Sequence, residues 1–182
     1  MNYYGGREMA EAFRTVRKNT IQIAEDIPGD KYDFKASPES RTIGQTLVHI
    51  AVGTMFPTMV HGGSTISDMN SLDFQQFFAS LSGEEAKPRN KAAILALLTT
   101  DGETFAALLE SLPEAVLAEV VTMRPGAEPP KRTRFEMLLS AKEHEMHHRA
   151  QLMVLQRMIG VVPHLTRLMQ ERVARMQTAA KV

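Results

Sequence analysis

Apolar residues recur at alternating steps of four and three along most of this chain, the spacing that places side chains on one face of an α-helix. The first such stripe, broken only by a threonine, consists of Met9, Phe13, Val16, Thr20, Ile23 and Ile27. Evidence for β-strands, which would show a period of two, is close to nil. Amphipathic helices bury their apolar faces against one another, so the pattern predicts an all-α protein, and specifically a helix bundle.

Breaks in this pattern divide the first third of the chain into two long helices. Pro28-Gly29 should end the first helix, because proline and glycine interrupt helical structure. The second should begin near Ser40 or Thr42 and run to about Met59, with Pro57 kinking or loosening its last turn. The glycine pair that follows should stop it.

The middle of the chain is predicted to hold a short helix, a third long helix and a long loop. Residues 72–81 could form the short helix inside an otherwise polar stretch. Asn90 is a suitable N-cap and Pro113 a stop, so the third long helix should lie between them. Residues 114–132 are predicted to be an irregular crossing in which 120–121 are briefly extended. A loop this long in a compact domain is often functional.

The fourth long helix opens at Thr133 and Glu136, whose hydroxyl and carboxylate can each satisfy a free backbone amide in a capping box, and it runs to Gly160. Its inward stripe reads Met137, Ala141, His144, His148, Leu152, Leu155 and Ile159. A C-terminal helix is marked by Leu165, Met169, Val173 and Met176. We therefore predict a four-helix bundle with an additional short helix in the loop and a C-terminal fifth helix. It forms one domain, 1–182, in which 160–182 is a helical extension.

Three histidines lie within five residues near the middle of the fourth helix, where the run 144–148 reads His-Glu-Met-His-His. His144 and His148 are four apart, so they sit one turn apart on the apolar face of the helix. Burying them without partners would cost about 1–3 kcal/mol per unsatisfied group. Two neutral imidazoles at this spacing can instead bind one cation, and the pair therefore predicts a metal site. His147 lies about 100 degrees from His148 around the helix, outside that site.

A cation held by two ligands on one helix needs a third from elsewhere in the chain. Cysteine is absent, which excludes thiolate ligands, thiolate nucleophiles and disulfides. His49, near the middle of the second helix, is the best candidate, because facing helices of a bundle converge side chains on an internal site. His61 is a weaker candidate, and His164 is expected to be exposed at the start of the fifth helix. Three histidines and a water would leave an open coordination position, as in catalytic sites.

The same run also spells the H-E-x-x-H signature of zinc proteases, in which the glutamate polarises a water. The extended signature needs glycine and histidine where this chain has Gln151 and Val154, and Glu171 is the remaining downstream candidate for a third ligand. Such proteases also hold an extended peptide at a strand edge, which this sequence does not predict. The protease reading is therefore the weaker one. Glu145 is expected to be a surface carboxylate, with a base or supporting role as the alternative.

Composition narrows the classes of partner. The 21 basic and 21 acidic residues balance, so no global charge attracts nucleic acid or an anionic membrane. The longest apolar run, Ala92–Leu98, is far too short to span a bilayer, and the N-terminus carries no apolar signal region. We therefore expect a cytoplasmic protein that binds neither nucleic acid nor a membrane.

Two segments resemble the DinB-like (damage-inducible) protein family. Residues 143–152, Glu-His-Glu-Met-His-His-Arg-Ala-Gln-Leu, are similar to the family's H-E-x-H-H-R-G-Q signature, and 46–50, Thr-Leu-Val-His-Ile, resemble its ligand segment on the second helix. The order of helices resembles the family over essentially the whole chain. The resemblance implies a four-helix bundle with a three-histidine divalent metal site at His49, His144 and His148, and homodimers in many members.

One departure from the signature is Ala150, which replaces the usual glycine and adds a methyl where helices could pack closely. The resemblance also implies activity of a particular kind, because some relatives are thiol-dependent S-transferases or isomerases that activate a low-molecular-weight thiol at the metal. Many other relatives have no assigned activity. Since this chain has no cysteine, any such thiol would come from a cosubstrate.

The leading hypothesis is a metal-dependent enzyme, of the thiol-dependent S-transferase, isomerase or hydrolase type, that uses Zn²⁺ or Ni²⁺ on a small-molecule substrate. The alternative is a non-enzymatic bundle that binds a ligand or partner and has a vestigial or structural metal site. The sequence identifies no catalytic residue and no further cofactor site. Metal affinity should fall below about pH 6, because the imidazole ligands must be neutral.

Overall fold

The computed structural model describes residues 4–63 and 66–179 of the 182-residue chain. The helices are α1 Gly6–Asp26, α2 Ile43–Val52, α3 Met55–His61, α4 Phe74–Glu85, α5 Lys91–Ser111, α6 Glu114–Leu117, α7 Arg134–Met158 and α8 His164–Ala179. Two short strands, β1 Val120–Thr122 and β2 Lys131–Thr133, and two 3₁₀ turns, Gly29–Lys31 and Met69–Ser71, complete the described elements.

Four of the helices form a closed ring. α1 packs along α5, α5 contacts α2, α2 contacts α7, and α7 returns to α1. Each of them therefore buries a face against two others, and the main core between them includes Ile23, Ile27, Ile43, Leu47, Ile50, Leu98 and Leu152. The predicted four-helix bundle is confirmed, with α4 as the short helix in the loop and α8 as the C-terminal fifth helix.

The helix starts follow the capping residues in the sequence. The Thr42 hydroxyl accepts a hydrogen bond from the amide of Gln45, whose side chain accepts in return from the amide of Thr42. Asn90 accepts from the amide of Ala93, and Thr133 forms the predicted capping box at the start of α7. Each cap satisfies backbone donors that have no partner inside the helix, which fixes where the helix begins.

The predicted second helix is two helices, α2 and α3, with the break at Gly53-Thr54. Pro57 explains the break, because it has no amide hydrogen to donate to the carbonyl of Gly53, four residues earlier. Pro57 itself lies in the first turn of α3, where a helix needs no such donor. The helix is thus interrupted about one turn before the proline itself. At the other end of α3, Gly62 is the C-cap, as expected.

The connection from α5 to α7 is more ordered than predicted. It contains the short helix α6 and an antiparallel pairing of β1 with β2, in which Val120 lies opposite Thr133. The predicted extension at 120–121 is confirmed. Since β2 ends at Thr133, the N-cap of α7, the hairpin leads directly into the helix that carries two of the candidate metal ligands.

The position of His164 differs from the prediction. Its side chain is buried, with Nε2 3.1 Å from Oδ1 of Asn19 on α1. The chain turns at Gly160, which has a positive φ of 81°, and α8 returns towards α1, where Arg167 pairs with Asp26. The return of α8 buries its first residue but leaves further apolar side chains exposed, namely Leu168, Met169, Val173 and Met176.

Two segments, Ile43–His61 and Lys91–Ser111, are long and apolar enough to cross a membrane by length and composition alone. This is weak evidence, because a core helix of a bundle passes the same test. Here α2 and α5 contribute side chains to the main core, which accounts for their apolar composition. The expectation that the chain binds no membrane stays a prediction.

Candidate metal centre

Three imidazoles converge between α2 and α7. One ring nitrogen from each of His49, His144 and His148 lies within 4.8 Å of the other two. The Nε2 atoms of His49 and His144 are 3.0 Å apart, and the ring of His148 has its centroid 4.6 Å from each of the other ring centroids. The structure thus brings together the three residues selected from the sequence.

Gly53 makes room for this cluster. A Cβ atom at residue 53 would lie 3.0 Å from Cε1 and 3.1 Å from Nδ1 of His144, which is closer than nearly all real contacts of this kind. The backbone of Gly53 has ordinary helical dihedrals, so the requirement for glycine is one of space. The absence of a side chain lets α2 approach the imidazole of His144 on α7.

Hydrogen bonds to the outer nitrogens orient two of the rings. Nδ1 of His49 lies 2.5 Å from Oε1 of Glu85, and Nδ1 of His148 lies 2.9 Å from Oε1 of Gln151. An oxygen acceptor at Nδ1 favours the tautomer that carries its proton there and leaves the Nε2 lone pair free. In both imidazoles Nε2 is therefore the nitrogen whose lone pair is available to a metal.

Sequence reasoning missed both of these partners. Glu85 lies at the end of α4, which runs four residues beyond the predicted end at 81, and no local pattern connects it to the second helix. Gln151 carried a signal, since it follows His148 by three residues and therefore lies on the same side of the helix. It also occupies the glutamine position of the family signature.

The environment keeps two of the imidazoles neutral. Burial lowers the pKa of His144 to about 4, and the neighbouring imidazoles and Arg41 act in the same direction. Burial also lowers the pKa of His148, although the hydrogen bond to Gln151 opposes this shift. A neutral imidazole is the form that binds a metal, so protons compete for these two ligands at a more acidic pH than an ordinary histidine would suggest.

The donor set fits a divalent transition metal. Zinc–nitrogen bonds of about 2.0–2.1 Å in a tetrahedron place the ligand nitrogens roughly 3.3 Å apart, which lies between the 3.0 Å and 4.8 Å found here. Imidazole ligands suit zinc and nickel and do not suit magnesium or calcium, which prefer oxygen. Among residues 4–63 and 66–179 this group contains three ligating side chains and no fourth. A four-coordinate metal bound here would therefore have one position without a protein ligand.

The other histidines lie outside the cluster. His147 is exposed and its Nε2 contacts the side-chain amide of Gln151. His61 is buried, with Nδ1 3.2 Å from Nη1 of Arg134, and burial lowers the pKa of His61 to about 4. Ala150 is exposed on α7, so the additional methyl does not enter a helix contact as the sequence had suggested.

Glu145 is not the surface carboxylate that the sequence predicted; it is 1% exposed. Its carboxylate accepts hydrogen bonds from Nε of Arg17, at 3.1 and 3.0 Å, and from the hydroxyl of Thr20, at 2.7 Å. The error came from treating one face of α7 as the buried face, whereas α7 contacts both α1 and α2. The sequence did contain one indication of this buried contact, because Thr20 is the one polar residue in the first apolar stripe.

A cleft of about 790 Å³ opens beside the cluster. Its lining includes His148 and Gln151 on α7, and Thr46 and Arg41 from the region around the start of α2. Beyond Gln151 the wall formed by α7 consists of Leu155 and of exposed apolar side chains. Of the three candidate ligands, His148 lines this cleft, so the cleft reaches one side of the cluster.

Comparison with solved structures finds proteins of similar fold. YfiT from Bacillus subtilis, described as a probable metal-dependent hydrolase with an unusual four-helix bundle topology, has a TM-score of 0.65 at 16% identity and covers 88% of this chain and 91% of its own. The crystal structure of YjoA, a DinB-like protein from Bacillus subtilis, has a TM-score of 0.60 at 24% identity and covers 84% of this chain and 92% of its own. These similarities show the fold.

No curated protein matches the sequence. A family model does match, over residues 12–152, and its description is the DinB superfamily. That range includes His49, His144 and His148, and it covers most of the four bundle helices. The chain belongs to the DinB superfamily.

Proposed function

We propose that this protein is a metal-dependent enzyme in which Nε2 of His49, His144 and His148 bind one Zn²⁺ or Ni²⁺ ion. The observation that carries the proposal is the convergence of three imidazole nitrogens within 4.8 Å, one of them from His148, which also lines a cleft large enough for a small molecule. Pockets of this volume are typical of small-molecule sites. The description of YfiT as a probable metal-dependent hydrolase supports the same class of activity.

A divalent cation held by these three histidines would supply a nucleophile near neutral pH, because it would lower the pKa of a water or a substrate thiol. The side chains around it have distinct tasks. Glu85 and Gln151 hold the rings of His49 and His148 so that their Nε2 atoms face inward. Gly53 keeps the space in which the ring of His144 sits.

The reaction in this proposal is substitution at an electrophilic substrate that enters through the cleft. The nucleophile bonds to the electrophilic atom, the bond from that atom to its leaving group breaks, and the proton of the nucleophile passes to the leaving group or to solvent. With water as the nucleophile the reaction is a hydrolysis, and with a low-molecular-weight thiol it is an S-transfer. Both use the same cluster, and the thiol of the second reaction must be supplied by a cosubstrate because the chain has no cysteine.

The position of Glu145 argues against the protease reading of the H-E-x-x-H run. In that mechanism the glutamate polarises a water beside the metal. Here Oε1 and Oε2 of Glu145 accept hydrogen bonds from Arg17 and Thr20, and the side chain is buried within the bundle. The described strands form one two-stranded sheet of three-residue strands, which is a short edge for an extended peptide.

The experiment compares metal-free protein with protein reloaded with Zn²⁺, Ni²⁺ or Mg²⁺, using a p-nitrophenyl ester for hydrolysis and a bimane halide with cysteine or glutathione for S-transfer. We expect turnover of at least one substrate with Zn²⁺ or Ni²⁺ and none with Mg²⁺. His148→Ala should abolish it and His147→Ala should not, because His147 is outside the cluster. Equal turnover by the metal-free protein, or tight metal binding without turnover of either substrate, would contradict the enzymatic proposal.

A further inference from the structure

The cleft beside the histidines has a polar end and an apolar end. Along α7 its lining runs from His148 through Val154 to Met158, a separation of ten residues that corresponds to about 15 Å of helix. Val154 and Met158 are 57% and 52% exposed and lie one turn apart on the same face of α7, so together they form an apolar patch within the cleft. A molecule that reacts at the histidines can therefore extend along an apolar wall.

Two charged side chains, Arg41 and Glu39, line the same cleft. Neither forms a hydrogen bond or an ion pair with any residue that the structure describes. Arg41 immediately precedes Thr42, the N-cap of α2, so in the chain it is the nearer of the two to the helix that carries His49. It lines the cleft together with His148.

We propose that the cleft binds an amphiphilic anion, whose carboxylate, sulfonate or phosphate group pairs with Arg41 next to the reacting atoms and whose apolar chain lies along Val154 and Met158. An unpaired guanidinium offers five donors that match such oxyanions. The apolar chain would cover the exposed wall and contribute by removing that surface from water. This inference rests on the proposed function, since the histidine cluster defines which end of the substrate reacts.

The probe is octanesulfonate, because a sulfonate pairs with guanidinium but is a poor ligand for zinc, so its binding reports on Arg41 and not on the metal. Isothermal titration calorimetry on both the metal-free and the zinc-loaded protein should show binding. Arg41→Gln should weaken it about tenfold, whereas Glu39→Gln should not weaken it. Butanesulfonate should bind at least about tenfold more weakly, because fewer methylene groups are buried.

A second pair of variants tests the apolar wall. Val154→Asp places a charge in the cleft and should reduce octanesulfonate binding about tenfold, while Leu168→Asp, at an equally exposed site on α8 outside the cleft, should leave it unchanged. Octyltrimethylammonium should bind more weakly than octanesulfonate. Equal binding of the cation, or unchanged binding to Arg41→Gln, would overturn the proposal. A protein that binds the sulfonate but no metal would refute the proposed function and leave the anion site standing.

Discussion

Arg17 on α1 and Glu145 on α7 form an ion pair that is sealed inside the bundle, with both side chains at most 4% exposed. The guanidinium also donates from Nη1 to the carbonyl of Leu98 on α5, at 2.7 Å, and from Nη2 to that of Ile50 on α2, at 3.4 Å. One arginine thus connects all four helices of the ring. Because Glu145 is next to His144, this pairing also fixes the rotation of α7 that directs His144 and His148 towards α2.

Glu145→Ala should destabilise the protein strongly, because it leaves Arg17 buried without its counter-charge. Breaking a buried pair in this way costs about 3–5 kcal/mol, which corresponds to a fall of roughly 10 °C in the melting temperature of a chain of this size. Differential scanning calorimetry of the metal-free protein measures this change in melting temperature. Glu143→Ala, at an exposed position of the same helix, is the matched control and should change the melting temperature little.

Glu145→Gln separates this structural role from a catalytic one. The amide keeps a hydrogen-bond acceptor for Thr20 but loses the charge that pairs with Arg17, so we expect reduced stability with unchanged zinc stoichiometry and unchanged turnover per folded molecule. Loss of turnover in a variant that still folds and binds zinc would show that Glu145 acts in the reaction.

Glu85→Gln should weaken zinc binding about 10- to 100-fold, because the carboxylate orients His49 and makes its Nε2 a better donor. Competition with a chromophoric zinc chelator gives the affinity. Glu84→Gln is the control, since Glu84 pairs with Lys87 and Arg89 and is not part of the cluster. Equal effects of the two substitutions would mean that the contact between Glu85 and His49 does not tune the site.

Gly53→Ala should also weaken zinc binding, by about tenfold, because the new methyl would displace the ring of His144 from which it is 3.0 Å away. Gly83→Ala is a suitable control. Within the described part of the chain no atom lies within 4 Å of a Cβ built at Gly83, so the Gly83→Ala substitution should leave zinc affinity unchanged and stabilise α4 by up to about 1 kcal/mol. If Gly53→Ala binds zinc with the affinity of the wild type, the ring of His144 can move without weakening zinc binding.

The stability of the metal-free protein should fall as the pH drops from 6.5 to 4. Burial lowers the pKa of His61 from 6.5 to about 4, so in this window the unfolded chain binds a proton that the folded chain excludes. Stability therefore rises with pH across the window and is fully present above it. Urea unfolding at several pH values, with a chelator present, should show a smaller pH dependence in His61→Gln than in the wild type; equal slopes would contradict this account.

The bundle could be predicted from the sequence because its main determinants are local. Apolar spacing, the caps at Thr42, Asn90 and Thr133, and the spacing of His144 and His148 all act over a few residues. What the sequence did not predict depends on contacts across the chain. Glu85 reaches His49 from 36 residues away, and burial of Glu145 depends on Arg17, 128 residues earlier.

The location of α8 also depends on contacts that could not be predicted from the sequence. The apolar spacing of the last helix correctly predicted a helix but carried no information on which residues are covered. His164 is buried against Asn19, whereas Met169 and Met176 are 60% and 62% exposed. Which face of a helix is buried depends on the neighbour it meets, and here the turn at Gly160 sets that neighbour.

The inter-helix metal site can be tested by measuring zinc content, after metal loading and dialysis, in the wild type, His49→Ala and His147→Ala. We expect one zinc per chain in the wild type and in His147→Ala, and none in His49→Ala. His49 is the informative residue, because it lies on a different helix from the histidine run and outside any H-E-x-x-H motif. Full zinc retention in His49→Ala, or a wild type that holds no zinc, would contradict an inter-helix site built from His49, His144 and His148.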